Sequence, residues 1–118
     1  MQIYFVVFGF ILFDILTGFI KGLAKEGINS TLLRKGLYHK VSEGLAILGA
    51  GLLERAADVL ELGVTIPAVN AVAIYICLME LVSIIENLCE LNPSMKKFFK
   101  PYLEKIKNEE EENGNPGN

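Results

Sequence analysis

The chain has 118 residues, 52% of them hydrophobic and 21% charged, with no tryptophan, four prolines and a formal net charge of -3. That length excludes a multidomain enzyme, and a mean hydropathy of +0.41 is high for a soluble domain of this size. Glu109 to Glu112 alone carry -4, leaving 11 basic and 10 acidic side chains in residues 1–108, so the acidic balance belongs to the C-terminal end.

Residues 1–20 form the first predicted element. Thirteen of them are Leu, Ile, Phe or Val, and Asp14 is the only charge. At about -0.5 kcal/mol per apolar residue against about +3 for the carboxylate, this segment should insert unaided. As a helix it would reach about 30 Å, the thickness of a bilayer core. No basic region precedes the apolar run and no small-residue cleavage site follows it, so it reads as a retained segment rather than a cleaved signal peptide. Residues 21–40 are polar and basic and contain Gly22, Gly27 and Gly36. They read as a loop with some helical content, in which Asn29, Ser30 and Thr31 could cap a short helix.

Residues 41–62 have helical periodicity around Leu45, Leu48, Leu52 and Leu53 but are only weakly apolar. Glu54, Arg55 and Asp58 would together cost roughly 9 kcal/mol if all were central in a bilayer. The segment is a plausible span only if those charges lie near one interface or face protein or water. Pro67 fits a turn or a helix start. Residues 68–91 form the third long segment, with Glu80, Glu86 and Glu90 roughly offset by eleven strongly apolar residues. Asn92-Pro93 closes it, because proline disfavours helix in the residue before it. Residues 95–107 read as a short amphipathic basic helix, and 108–118, without apolar residues, as a disordered acidic tail. The prediction is an all-α membrane protein with three spans, at about 1–20, 41–62 and 68–91, in a single domain 1–107.

The interruptions in these spans are not scattered. At about 100° per residue, Glu43, Glu54, Asp58 and Glu61 fall within about 60° of one another, with Ile47 and Ala50 between them. Asp14, Thr17, Gly18 and Lys21 share a face of the first segment through i, i+3, i+4 and i+7 spacing. Asn70, Cys77, Glu80, Ser83 and Asn87 occupy a sector of about 140° on the third. Each segment thus carries a polar stripe on an apolar body, to be used either as helix-helix glue or as a water-facing surface. The candidate functional residues are Asp14, Thr17, Lys21, Glu54, Asp58, Glu61, Glu80, Ser83 and Asn87.

Basic residues set the expected topology. Lys21, Lys25, Arg34, Lys35 and Lys40 lie between the first two spans and five lysines follow the third, whereas 62–68 has no basic residue. The positive-inside rule then places the N-terminus outside and both basic regions in the cytoplasm. Lys25, Arg34, Lys35, Lys40, Lys96, Lys97 and Lys100 are read as topology determinants that meet anionic head groups. Cys77 and Cys89 read as packing residues of one helix that cannot pair with each other, and the lone His39 as a loop residue. No catalytic, cofactor or metal site is expected, and no nucleic-acid partner.

Several motifs in order complete the reading. The run from Asp14 to Lys21 (Asp-Ile-Leu-Thr-Gly-Phe-Ile-Lys), Asn29-Ser30, Arg34-Lys35-Gly36 before Lys40, and Glu80 with Ser83-Ile84-Ile85-Glu86-Asn87 resemble the toxin secretion/phage lysis holin family. The resemblance covers roughly residues 10–107. It implies a small, non-enzymatic protein that oligomerises in the bacterial cytoplasmic membrane and forms lesions. Through these a phage endolysin, or in some relatives a large toxin, leaves the cell as cargo without a dedicated binding site. An inhibitory antiholin of the same family is the alternative, and an antiholin is a possible partner. Outside the family, the remaining alternative is a soluble helical interaction module with the apolar faces as its core.

Overall fold

A computed structural model of the chain describes residues 2–25, 27 and 30–114, with 110–114 described by their backbone alone. Four helices follow one another: α1 (Gln2–Lys25), α2 (Ser30–Val59), α3 (Ala68–Leu91) and α4 (Pro93–Gly114). Strands are absent among the described residues. α1 and α3 are each long and apolar enough to cross a membrane, whereas α2 is not by composition.

The third predicted segment matches α3 at both ends. Asn92 leaves the helix in an extended conformation (φ -138°), its N–H bonded to the Leu88 carbonyl at 2.8 Å, and Pro93 opens α4. The Asn92 side chain then accepts from the Ser94 N–H at 3.2 Å, capping the new helix. Two other expectations are corrected. Residues 30–40, read as mostly loop, are the first third of a 30-residue α2. Leu32, Leu33, Arg34 and Lys35 are good helix formers whose polar company suggested a loop, and propensity with tertiary packing decided otherwise. Likewise 108–114, expected to be disordered, continue α4, as a run of glutamates with high helix propensity can. The proposed cap at Asn29 and the tail beyond Gly114 lie outside the described residues.

α3 packs against each of the other three helices, whereas α1 and α2 meet only briefly. The chain runs up, down and up through α1, α2 and α3. Tyr4, Gly51 and Val69 lie together at one level, and Asp14, Lys40 and Glu80 at another. Gly51 permits the first of these approaches, since a Cβ there would collide with the Tyr4 hydroxyl. From the first level toward the second the core is Val69, Val7, Ile11, Ile47, Ala50, Ala73 and Ile76.

This core is thin, and most large apolar side chains face outward. Phe5, Leu12 and Phe13 on α1, Leu45 and Leu52 on α2, and Ile74 and Leu78 on α3 are all at least 47% exposed. Asp14, Thr17, Glu43, Glu80 and Asn87, by contrast, are buried. Polar inside and apolar outside is the inverse of a water-soluble domain, and it suits a hydrocarbon solvent.

Candidate functional site

The polar stripes of the three long helices converge on one buried network. On α1, Thr17 lies one turn after Asp14, and its hydroxyl donates to the Asp14 backbone carbonyl at 3.1 Å. From α3, the two N–H bonds of the Asn87 amide divide between the Asp14 carboxylate Oδ1 and Thr17 Oγ1, each at 3.0 Å. From α2, the Lys40 ammonium donates to Asp14 Oδ2 and to Glu80 Oε2, the latter at 2.5 Å. Glu43, one turn after Lys40, lies 3.8 Å from the same ammonium. Its Oε1 is buried without a hydrogen-bond partner, with the His39 imidazole 3.7 Å away.

These helices come together for a physical reason. Any one of Asp14, Lys40 or Glu80 left alone in a low-dielectric interior would carry a desolvation penalty of several kcal/mol, which mutual pairing with further hydrogen bonds offsets. Side-chain exposure is 14% at Lys40, 5% at Asp14 and 2% at Glu80, so water does not supply that compensation. One ammonium therefore ties α2 to both α1 and α3, and Asn87 adds a second tie between α1 and α3. Chemically the arrangement is a clamp between helices.

The predicted residues separate into those inside this network and those outside it. Asp14, Thr17, Glu80 and Asn87 are brought together, with Ser83 half-buried on the same helix as Glu80. Lys21, expected to share a face with Asp14, is half-buried one turn beyond Thr17, and Lys40 takes the place beside the aspartate. The acidic stripe of α2 is divided along its length. Glu43 joins the network, while Glu54 accepts from the Val69 N–H at 2.9 Å and so satisfies an open donor in the first turn of α3. Asp58 and Glu61 are exposed beyond that point, Asp58 in the last turn of α2 and Glu61 in the turn that follows it.

Lys40 is the principal correction. Expected at the head groups with Lys25, Arg34 and Lys35, which are exposed, Lys40 is instead turned inward onto two carboxylates at its own depth. A signal for this was present: Gly27, with φ +76° between α1 and α2, is equidistant in sequence from Asp14 and Lys40, so an antiparallel pair of helices turning there sets them opposite each other. His39 lies on α2 rather than in a loop. On α4, Lys96, Lys97 and Lys100 are exposed, and Lys107 pairs with Glu86 at 3.1 Å.

Comparison with known proteins adds one match. The family described as the bacteriophage holin family matches over residues 1–108. No curated protein and no solved structure matches the chain.

Proposed function

Because the chain belongs to the bacteriophage holin family, we propose that it acts as a holin, assembling in the bacterial cytoplasmic membrane and opening lesions that release an endolysin or an exported toxin. The observation that carries this reading is the inverted body, with apolar residues outside and the Asp14–Lys40–Glu80 clamp inside. The family is one of membrane proteins that form holes without catalysis, and a charge clamp between helices requires no substrate.

Three spans are favoured over two. α2 runs antiparallel to α1 through the same levels, with Gly51 beside Tyr4 and Lys40 paired with Asp14. A bilayer that covers α1 therefore covers this part of α2. Composition alone counts Lys40 and Glu43 against the span, but inside the clamp neither faces lipid. Of the remaining charges, Glu54, Arg55 and Asp58 lie level with the start of α3 or beyond it, at an interface, where the insertion cost is small, and Arg34 and Lys35 lie toward the opposite end of α2. From Asp14, Lys40 and Glu80 to the helix ends at Lys25, Ser30 and Leu91 is in each case about 16 Å, so the basic ends fall at one level. The N-terminus then lies outside and α4 in the cytoplasm.

In this reading Asp14, Thr17, Glu80 and Asn87 hold the protomer together, and homo-oligomers form through its outer surface. Lys25, Arg34, Lys35, Lys96, Lys97 and Lys100 meet head groups. Production in bacteria without any phage partner tests the proposal. The protein is expected in the membrane fraction, with loss of membrane potential and dye uptake once it accumulates. Abundant membrane protein with neither effect would remove the lesion-forming role and leave the inhibitory one.

A further inference from the structure

Resting on the lesion-forming reading, one question is which surface meets water, given that the most polar side chains of the spans are consumed inside the protomer. On α1, every exposed residue from Phe5 to Ile20 is Phe, Val, Gly, Leu or Ile. On α3, the exposed positions from Ala71 to Leu81 are Ala71, Ile74, Tyr75, Leu78 and Leu81. The Tyr75 hydroxyl is the one polar group among these exposed side chains, so neither helix offers water a continuous polar wall at these depths.

α2 is different. At about 100° per residue its surface divides into three faces. One is the buried face of Glu43, Ile47, Ala50 and Ala57. A second, exposed and apolar, carries Leu37, Val41, Leu45, Leu48 and Leu52. The third lies between them within about 80° and carries Lys35, His39, Ser42, Ala46 and Gly49, all exposed. From Lys35 to Gly49 this strip is about 21 Å long, much of a bilayer core.

His39 gives the strip its meaning. His39 precedes Lys40, which pairs with Asp14 and Glu80 near the middle of α1 and α3, and its imidazole lies 3.7 Å from the Glu43 carboxylate, yet the side chain is 68% exposed. An exposed polar group at that depth facing lipid is costly, so its surroundings should be water or protein. Ser42 is the other polar side chain of the strip, its hydroxyl donating to the His39 carbonyl at 2.6 Å. We infer that the α2 strip of His39, Ser42, Ala46 and Gly49 lines the water-filled hole, with Lys35 at its cytoplasmic mouth beside the head groups and the Asp14–Lys40–Glu80 clamp intact behind it. Small side chains at 42, 46 and 49 leave the lumen open where a leucine would close it, and the leucine-rich face beside them stays in lipid or against a neighbouring copy.

Single cysteines test this in the full chain. Ser42→Cys, Ala46→Cys and Gly49→Cys are set against Leu48→Cys on the leucine face and Thr17→Cys inside the clamp. Nothing lies within 4 Å of a Cβ at Gly49, so that variant perturbs no packing. Cells are treated with a charged, membrane-impermeant thiol reagent while dye uptake is followed, with labelling of the unsubstituted chain subtracted. Labelling at 42, 46 and 49 is expected to rise several-fold at the onset of dye uptake and to remain at background at 48 and 17. Dye uptake with 49 unlabelled, or with 17 labelled and 49 not, would overturn the strip as the lining while leaving the holin reading in place. No dye uptake from the unsubstituted chain would overturn both.

Discussion

Replacing Lys40 with methionine removes the one cation of the clamp while keeping most of the side-chain volume. Asp14, Glu43 and Glu80 are then left together, each less than a tenth exposed, with no ammonium among them. Breaking a buried ion pair by deleting one partner costs about 3–5 kcal/mol, because the remaining charge is desolvated and uncompensated. At 1.4 kcal/mol per factor of ten, this is a loss of about two to three and a half orders of magnitude in the folded ratio. Purified protein in mild detergent, unfolded by a denaturing detergent and followed by circular dichroism, would report the loss. Lys35→Met, one to two turns earlier and exposed, is the control and should change little. Adding Glu80→Gln to Lys40→Met should restore part of the stability, since one stranded carboxylate becomes a neutral hydrogen-bonding amide. If Lys40→Met behaved like Lys35→Met, the lysine would be reaching the head groups after all, and the clamp would be wrong.

Other perturbations separate the parts of the structure. Asn87→Leu strands Asp14 Oδ1 and Thr17 Oγ1 and should cost about 1–3 kcal/mol in the same unfolding assay; an unchanged midpoint would count against the α1–α3 tie. Gly51→Ala forces the Tyr4 hydroxyl aside and should destabilise, an effect that Tyr4→Phe should reduce, whereas Gly49→Ala meets open space and should stabilise slightly through helix propensity. Glu54→Ala should speed hydrogen exchange at the Val69 amide while Glu54→Gln largely preserves its protection, because the amide oxygen can still accept. In cells, Glu80→Leu should shift the time of dye uptake more than Asp58→Leu does, because Glu80 is in the clamp and Asp58 is exposed on the last turn of α2; equal shifts would deny the clamp a part in timing.

How far the chain could be read in advance differs from helix to helix. α3 was legible at both ends because Pro67 and Asn92-Pro93 are local signals acting through backbone sterics. The start of α2 was not, because Arg34, Lys35 and Lys40 look like loop residues until Lys40 has its acids, and those come from sequence positions 26 and 40 residues away. The stripes on α1 and α3 were visible as periodicity, yet whether Asp14 and Asn87 faced water, lipid or each other was open. The stripe on α2 divides along its length in a way periodicity does not show: Glu43 and Glu54 lie on the packed side of the helix, but Asp58 and Glu61 lie beyond the packed length, where sharing an angle no longer means sharing an environment.

By itself the sequence determined the apolar character, the helical class, the asymmetry of basic residues and the family resemblance, since these are sums and short-range patterns that need no partner. Only the tertiary structure decided that the polar stripes meet inside one protomer, that Lys40 belongs to Asp14 and Glu80 rather than to lipid, and that α2 is left with a partly polar outer strip. The reason is that helical periodicity sets which side chains share a face, whereas the environment of that face is set by the helix packed against it. Three buried ionisable side chains from three different helices become tolerable only when all three are in place.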